Sequence, residues 1–142
     1  MSRELDNLVA ARQLKSETAA SPEVATLLQR ATSLLTDAAN TALAPASRHS
    51  LAYDAAFALA TAALRMRGYR ADAARGHRSI VFQTLPHTVG AAAELWSALS
   101  AAHDRRNALE YSAALAPTQT EVADLLLQVR SLDRLVRKAA GR

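Results

Sequence analysis

The sequence predicts an all-α fold: an antiparallel bundle of four main helices with additional short helices. Three observations lead there. Alanine and leucine dominate a chain holding only four glycines and four prolines, a composition that favours helix. Apolar residues recur at three and four positions through several long segments. The breakers fall between those segments rather than inside them.

Each element follows in order. Residues 5–14 carry a weak helical periodicity and predict a short leading helix. Ser21-Pro22 sets a capping residue before a proline suited to a first helical turn. Beyond it Val24, Leu27, Leu28, Ala31, Leu34, Leu35 and Ala38 share one face, predicting a helix to about Leu43. Ala44-Pro45 restarts the chain. Leu51, Asp54, Phe57, Ala58, Thr61, Leu64 and Arg65 then line one face of an alanine-rich helix that stops at Gly68. Residues 69–76 read as a polar, mobile loop, and 77–85 as a short helix broken by Pro86 and Gly90. A third main helix is expected over 91–111. A fourth is expected over 119–139, opened by the capping box Thr118-Gln119-Thr120-Glu121 and burying Val122, Leu125, Leu126, Val129, Leu132, Leu135 and Val136. No segment alternates as a strand would, and none repeats. The 142 residues fit a single helical domain over 1–142 with its core over 21–139.

The absence of cysteine excludes disulfides, thiolate metal sites and a cysteine nucleophile. The acidic N-terminus does not read as a signal peptide. The longest apolar stretch, 55–64, is far short of the roughly 20 residues that cross a bilayer. A cytoplasmic protein without membrane contact is expected. The net charge of +4 comes almost wholly from arginine, with Lys15 and Lys138 the only lysines. Arginine presents a planar fork to phosphate, although a codon bias toward arginine and alanine would leave the same excess. Arg65, Arg67, Arg70, Arg75 and Arg78 form a basic run that is either a rim guiding RNA or a solvated loop.

The third main helix carries the constellation of interest. Leu95, Trp96, Leu99 and Ala102 form an apolar stripe, and the same stripe continues as His103, Arg106, Asn107, Glu110 and Tyr111. Counted from His103 the spacings are three, four, seven and eight, so all five share a face. Arg106 cannot shed its charge and needs carboxylates. Glu110, one turn on, and Asp54, on the face of its own helix, are the expected partners. One reading is an internal network that fixes helix register. The other is a polar cleft in which Arg106 binds a nucleotide or a phosphodiester.

Arg106-Asn107-Ala108-Leu109-Glu110-Tyr111 resembles the signature of HEPN domains, small helical bundles in which an arginine precedes a histidine by a few residues. The alanine-rich segment 50–69 and the segment 76–88 resemble the helix and connection that such proteins carry upstream. The resemblance covers roughly residues 47–111. It implies a metal-independent endoribonuclease acting as a homodimer, or the HEPN component of a toxin–antitoxin system with a nucleotidyltransferase partner protein. In that role Arg106 would stabilise charge on the phosphate and Asn107 would orient it. Tyr111 stands where the family has histidine. A phenol with a pKa of about 10 is a poor general base at neutral pH, so His103, two turns upstream, is the substitute imidazole. The expected site is therefore Arg106, Asn107, Tyr111 and His103 for chemistry, with Glu110 and Asp54 for binding. His49, His77 and His87 are weaker candidates. No histidines and carboxylates have metal-ligand spacing, so neither metal nor cofactor is expected. The alternative is a catalytically inactive helical module that senses a nucleotide, docks a partner or dimerises.

Overall fold

The computed structural model describes residues 2–72, 79–112 and 114–141, which are mostly helical. Among the described residues, seven helices and two short strands run in the order α1 (Arg3–Ala10), β1 (Leu14–Ser16), α2 (Glu23–Ala38), α3 (Pro45–Met66), β2 (Tyr69–Ala71), α4 (Ile80–Gln83), α5 (Leu85–Thr88), α6 (Ala93–Tyr111) and α7 (Gln119–Ala139). The sequence reading held no strand; the described residues include two, paired antiparallel with Leu14 opposite Ala71 and Ser16 opposite Tyr69. Three residues apiece are too few to show alternation, and part of the expected polar loop is therefore β2. The rest of that loop, with Arg75, Gly76, His77 and Arg78, lies outside the described residues.

α3 is the centre of the fold, with α2 and α7 packed on it and α6 resting against α3 and α7. Its start is set by Pro45 in the first turn and its end by Gly68 at φ 84°, a left-handed residue that glycine adopts without strain. Thirteen of its residues are buried, seven of them alanines. Small side chains allow neighbouring helices to approach closely, so the burial extends around most of α3. This corrects the sequence reading of its core face. Asp54, Phe57 and Thr61 are only half-buried, whereas Ala52, Tyr53, Ala56, Leu59 and Ala63 are the deep positions.

The other helices follow their apolar stripes. α7 begins and ends where expected, with Thr118 Oγ1 accepting the Glu121 N–H at 3.1 Å as its cap. It buries Val122, Leu125, Leu126, Val129, Leu132 and Val136, with Leu135 partly covered. Leu95, Leu99 and Ala102 bring α6 into the core, with Trp96 partly buried beside them. α2 ends at Ala38 rather than near Leu43; Arg48 Nε caps the Ala38 carbonyl at 2.8 Å, and Asn40 Oδ1 accepts the Ala42 N–H at 3.0 Å in the turn that follows. The expected short helix is two four-residue helices, since Pro86 falls in the first turn of α5 instead of breaking α4. Leu5 of α1 and Leu14 of β1 are 1% exposed and belong to the same core, which therefore begins upstream of residue 21. Among the described residues no helix is long and apolar enough to cross a membrane.

Arg65 joins three elements at the end of α3. Its side chain is 3% exposed; Nε donates to Glu23 Oε2 at 2.7 Å and Nη1 to the carbonyls of Glu17 and Tyr69 at 2.9 and 3.0 Å. The guanidinium holds the Glu23 carboxyl below its ordinary range. Arg67 donates twice to the Thr88 carbonyl, at 3.0 and 2.7 Å, and Arg70 pairs with Glu17 at 2.5 Å. Arg65 and Arg67 are thus tied to neighbouring elements, whereas the Arg70–Glu17 pair is half-exposed and fits the solvated reading.

Candidate functional site

Helical spacing brings His103, Arg106 and Asn107 to the side of α6 that faces α3. Tyr53 of α3, fully buried, meets them there. Its hydroxyl lies 2.8 Å from His103 Nδ1, and its ring lies 5.0 Å below the Arg106 guanidinium carbon. A guanidinium over a phenol face is attracted by the ring quadrupole, which holds it flat. Asn107 Nδ2 sits 3.3 Å from His103 Nε2. With the amide nitrogen donating, Nε2 accepts, so Nδ1 carries the proton and donates to the Tyr53 oxygen. Both ring nitrogens of His103 are therefore engaged inside the protein. Phe82 of α4 packs beside this group, 5.9 Å from Tyr53 and 6.4 Å from His103.

Arg106 Nη2 pairs with Glu110 at 3.1 Å, as the one-turn spacing predicted. Asp54 does not join that pair: no ion pair links it to Arg106, and the two instead line one cleft between α2, α3 and α6. The cleft measures about 410 Å³, and Arg30, Phe57 and Thr61 also line it. Among the described residues neither Arg30 nor Asp54 has an ion pair, and the Thr61 hydroxyl is buried with no hydrogen-bond partner. Thr32 and Thr36 on α2 donate to the carbonyl four residues back, the ordinary resting place for a helical threonine. Thr61 does not.

Tyr111, at the last residue of α6, is 81% exposed and makes no hydrogen bond to this cluster. It stands apart from His103, Arg106 and Asn107, so the expected four-residue chemical site is not assembled within one chain. Sequence reasoning also missed Arg30. Arg30 is an exposed residue at the edge of the α2 apolar stripe, one turn beyond Leu27, and an exposed arginine gives no signal in the sequence that sets it apart from a solvated one. Phe57 and Thr61 were placed on the right face yet taken for core.

A second group lies on the opposite side of α6. Arg105 Nε donates to Glu121 Oε2 at 2.6 Å and its Nη2 to the Leu115 carbonyl at 2.7 Å, pinning the α6–α7 connection to α7. Arg105 holds the Glu121 carboxyl below its ordinary range. His49 of α3, 2% exposed, brings Nε2 to 3.9 Å from Glu121, and burial pushes its pKa down. His87 lies in α5 at the exposed surface. Among the described residues no group of three or more histidines and carboxylates is gathered as a metal would require.

In comparison with known proteins, no family model, no curated protein and no solved structure matches this chain.

Proposed function

We propose that this chain is a HEPN-like helical module that binds a nucleotide or an RNA phosphate in the cleft between α2, α3 and α6. The observation that carries the reading is the convergence of Arg30 and Arg106, from two different helices, on one cleft beside Asp54 and the unpartnered Thr61 hydroxyl. Arginines offer paired donors to phosphate oxygens. Asp54 offers acceptors to ribose hydroxyls or a base amino group, and Phe57 offers an apolar face to a base. The Arg106–Glu110 pair does not prevent this. Glu110 is 42% exposed, and such one-turn surface pairs contribute only about 0.3–0.5 kcal/mol. A hydrogen bond to a charged phosphate contributes about 1.5–3 kcal/mol, so the phosphate displaces Glu110.

Binding is preferred to cleavage because the imidazole of His103 is occupied at both nitrogens and Tyr111 is a poor base held away from it. On this reading the four long helices form the antiparallel bundle of the HEPN type and the protein is cytoplasmic. The test pairs thermal unfolding with an RNA cleavage assay. Nucleoside monophosphates should raise the melting temperature of the wild type in a saturable way, with no cleavage of labelled single-stranded RNA. A nucleotide that leaves the melting temperature unchanged at millimolar concentration would end this reading.

A second reading, the metal-independent endoribonuclease of a toxin–antitoxin pair, draws on one observation: Tyr111 lies outward, where a second copy of the chain could bring it to an active site. It requires a homodimer, with a nucleotidyltransferase as the partner protein that neutralises it. It predicts dimer mass by light scattering and cleavage lost in Arg106→Ala; a monomer that does not cleave RNA removes it.

A further inference from the structure

The cleft between α2, α3 and α6 does not close at Phe57. A further cavity, of about 460 Å³, lies between α2, α3, β2 and α4, and Leu27, Phe57 and Thr61 line both. Helical spacing explains the continuity. Glu23, Thr26, Leu27 and Arg30 share one face of α2, and Asp54, Phe57, Thr61 and Arg65 share one face of α3. Two such faces set side by side leave one groove along their seam. From Asp54 to Arg65 it follows α3 for eleven residues, roughly 16 Å at the helical rise. The two ends differ in chemistry. Arg30 and Arg106 stand against a single carboxylate, Asp54, in the wall of the first cavity. In the second, each charged wall residue is already paired: Arg65 Nε with Glu23 at 2.7 Å, and Arg70 with Glu17 at 2.5 Å. The rest of that wall is mainly apolar, from Leu27, Phe57, Ala71 and Val81. The groove therefore offers anion-binding groups at one end and uncharged apolar space at the other, in a volume that suits a small organic group.

We propose that the groove takes a phosphate monoester with a long apolar body, the phosphate held between Arg30 and Arg106 and the body crossing Phe57 into the second cavity. Among nucleotides, the preferred one carries an apolar substituent on its base. The inference rests on the phosphate-binding reading of the first cavity and adds the part of the ligand that lies beyond Phe57.

The test is a calorimetric titration with adenosine monophosphate, the same nucleotide benzylated on its exocyclic amine, and the benzylated nucleoside without phosphate. The benzyl group should tighten binding by the wild type about tenfold or more, through the apolar surface it buries. Removing the phosphate should weaken binding about tenfold or more, through the lost charged hydrogen bonds. Thr26 lines the second cavity but not the first and is exposed on α2. Thr26→Trp should fill the second cavity from its mouth, removing the benzyl gain while the plain nucleotide binds as before. Equal affinity for the plain and benzylated nucleotides, or a gain that survives Thr26→Trp, would overturn the proposal and leave the phosphate site standing. If neither nucleotide binds, the phosphate reading falls and this inference with it.

Discussion

Arg12 ends α1 in a left-handed conformation, with φ at 62°. Its N–H donates to the Val9 carbonyl at 3.0 Å and the next N–H, of Gln13, to Leu8 at 2.9 Å, the pair of bonds that closes a helix through a left-handed residue. Any residue with a Cβ is strained there. Arg12→Gly should therefore stabilise the fold by about 0.5–1 kcal/mol, after the larger unfolded-state entropy of glycine is set against the relief. Calorimetry should show the melting temperature rising by roughly 2–3 °C. His49 makes a second prediction at this scale. Its folded pKa is depressed by burial, so the unfolded chain takes up a proton that the folded chain resists. The stability is fully present above the unfolded value of about 6.5 and is lost as pH falls from there toward the folded pKa. Unfolding curves between pH 7 and 5 should show this decline in the wild type and a flatter one in His49→Gln. A parallel decline in both would put its origin elsewhere. Glu23 and Glu121, depressed by their arginines, add losses only below the ordinary carboxylate range. Of these residues the sequence displayed the types but not the partners. Arg65 and Glu23 are 42 positions apart, and nothing local announces such a pair.

At the scale of elements, Arg65 is the tie whose loss should be felt most. Arg65→Met keeps the stem but leaves the Glu23 carboxylate and two backbone carbonyls without their donor. Glu23 is 27% exposed and can recover water, so the cost should be about 2–3 kcal/mol, below that of a fully buried pair. Chemical denaturation should show that loss, with the melting temperature down by roughly 5–10 °C. The same scale explains what was legible. α7 could be read to its ends because a proline, a capping threonine and a long apolar stripe agree there. α3 could be located but not oriented. On a helix buried around most of its surface, an apolar periodicity no longer separates core from cleft, so Phe57 and Thr61 were read as part of one apolar stripe, and only Asp54 stood out on it as a binding carboxylate. β1 and β2 escaped notice because pairing across more than fifty intervening residues, not local pattern, makes them strands.

For the whole molecule, α6 divides two cavities of different character. On one side the arginines of α2 and α6 converge with Asp54 and the orphan hydroxyl of Thr61; on the other a cavity of about 440 Å³ between α3, α6 and α7 is lined by alanines of α6 together with His49, Arg105 and Glu121. The five-residue face on α6 was readable from spacing alone, but its split was not. Three of its members meet Tyr53 or one another, Glu110 pairs at the rim and Tyr111 leaves into solvent. The most direct test of the central claim is a binding titration of a fluorescent nucleoside monophosphate into wild type, Arg30→Ala and Arg106→Ala, at low and high salt. The account predicts saturable binding by the wild type, weakened about tenfold or more by each substitution and weakened by salt. Wild-type binding that survives both substitutions unchanged, or no binding at all, would contradict it.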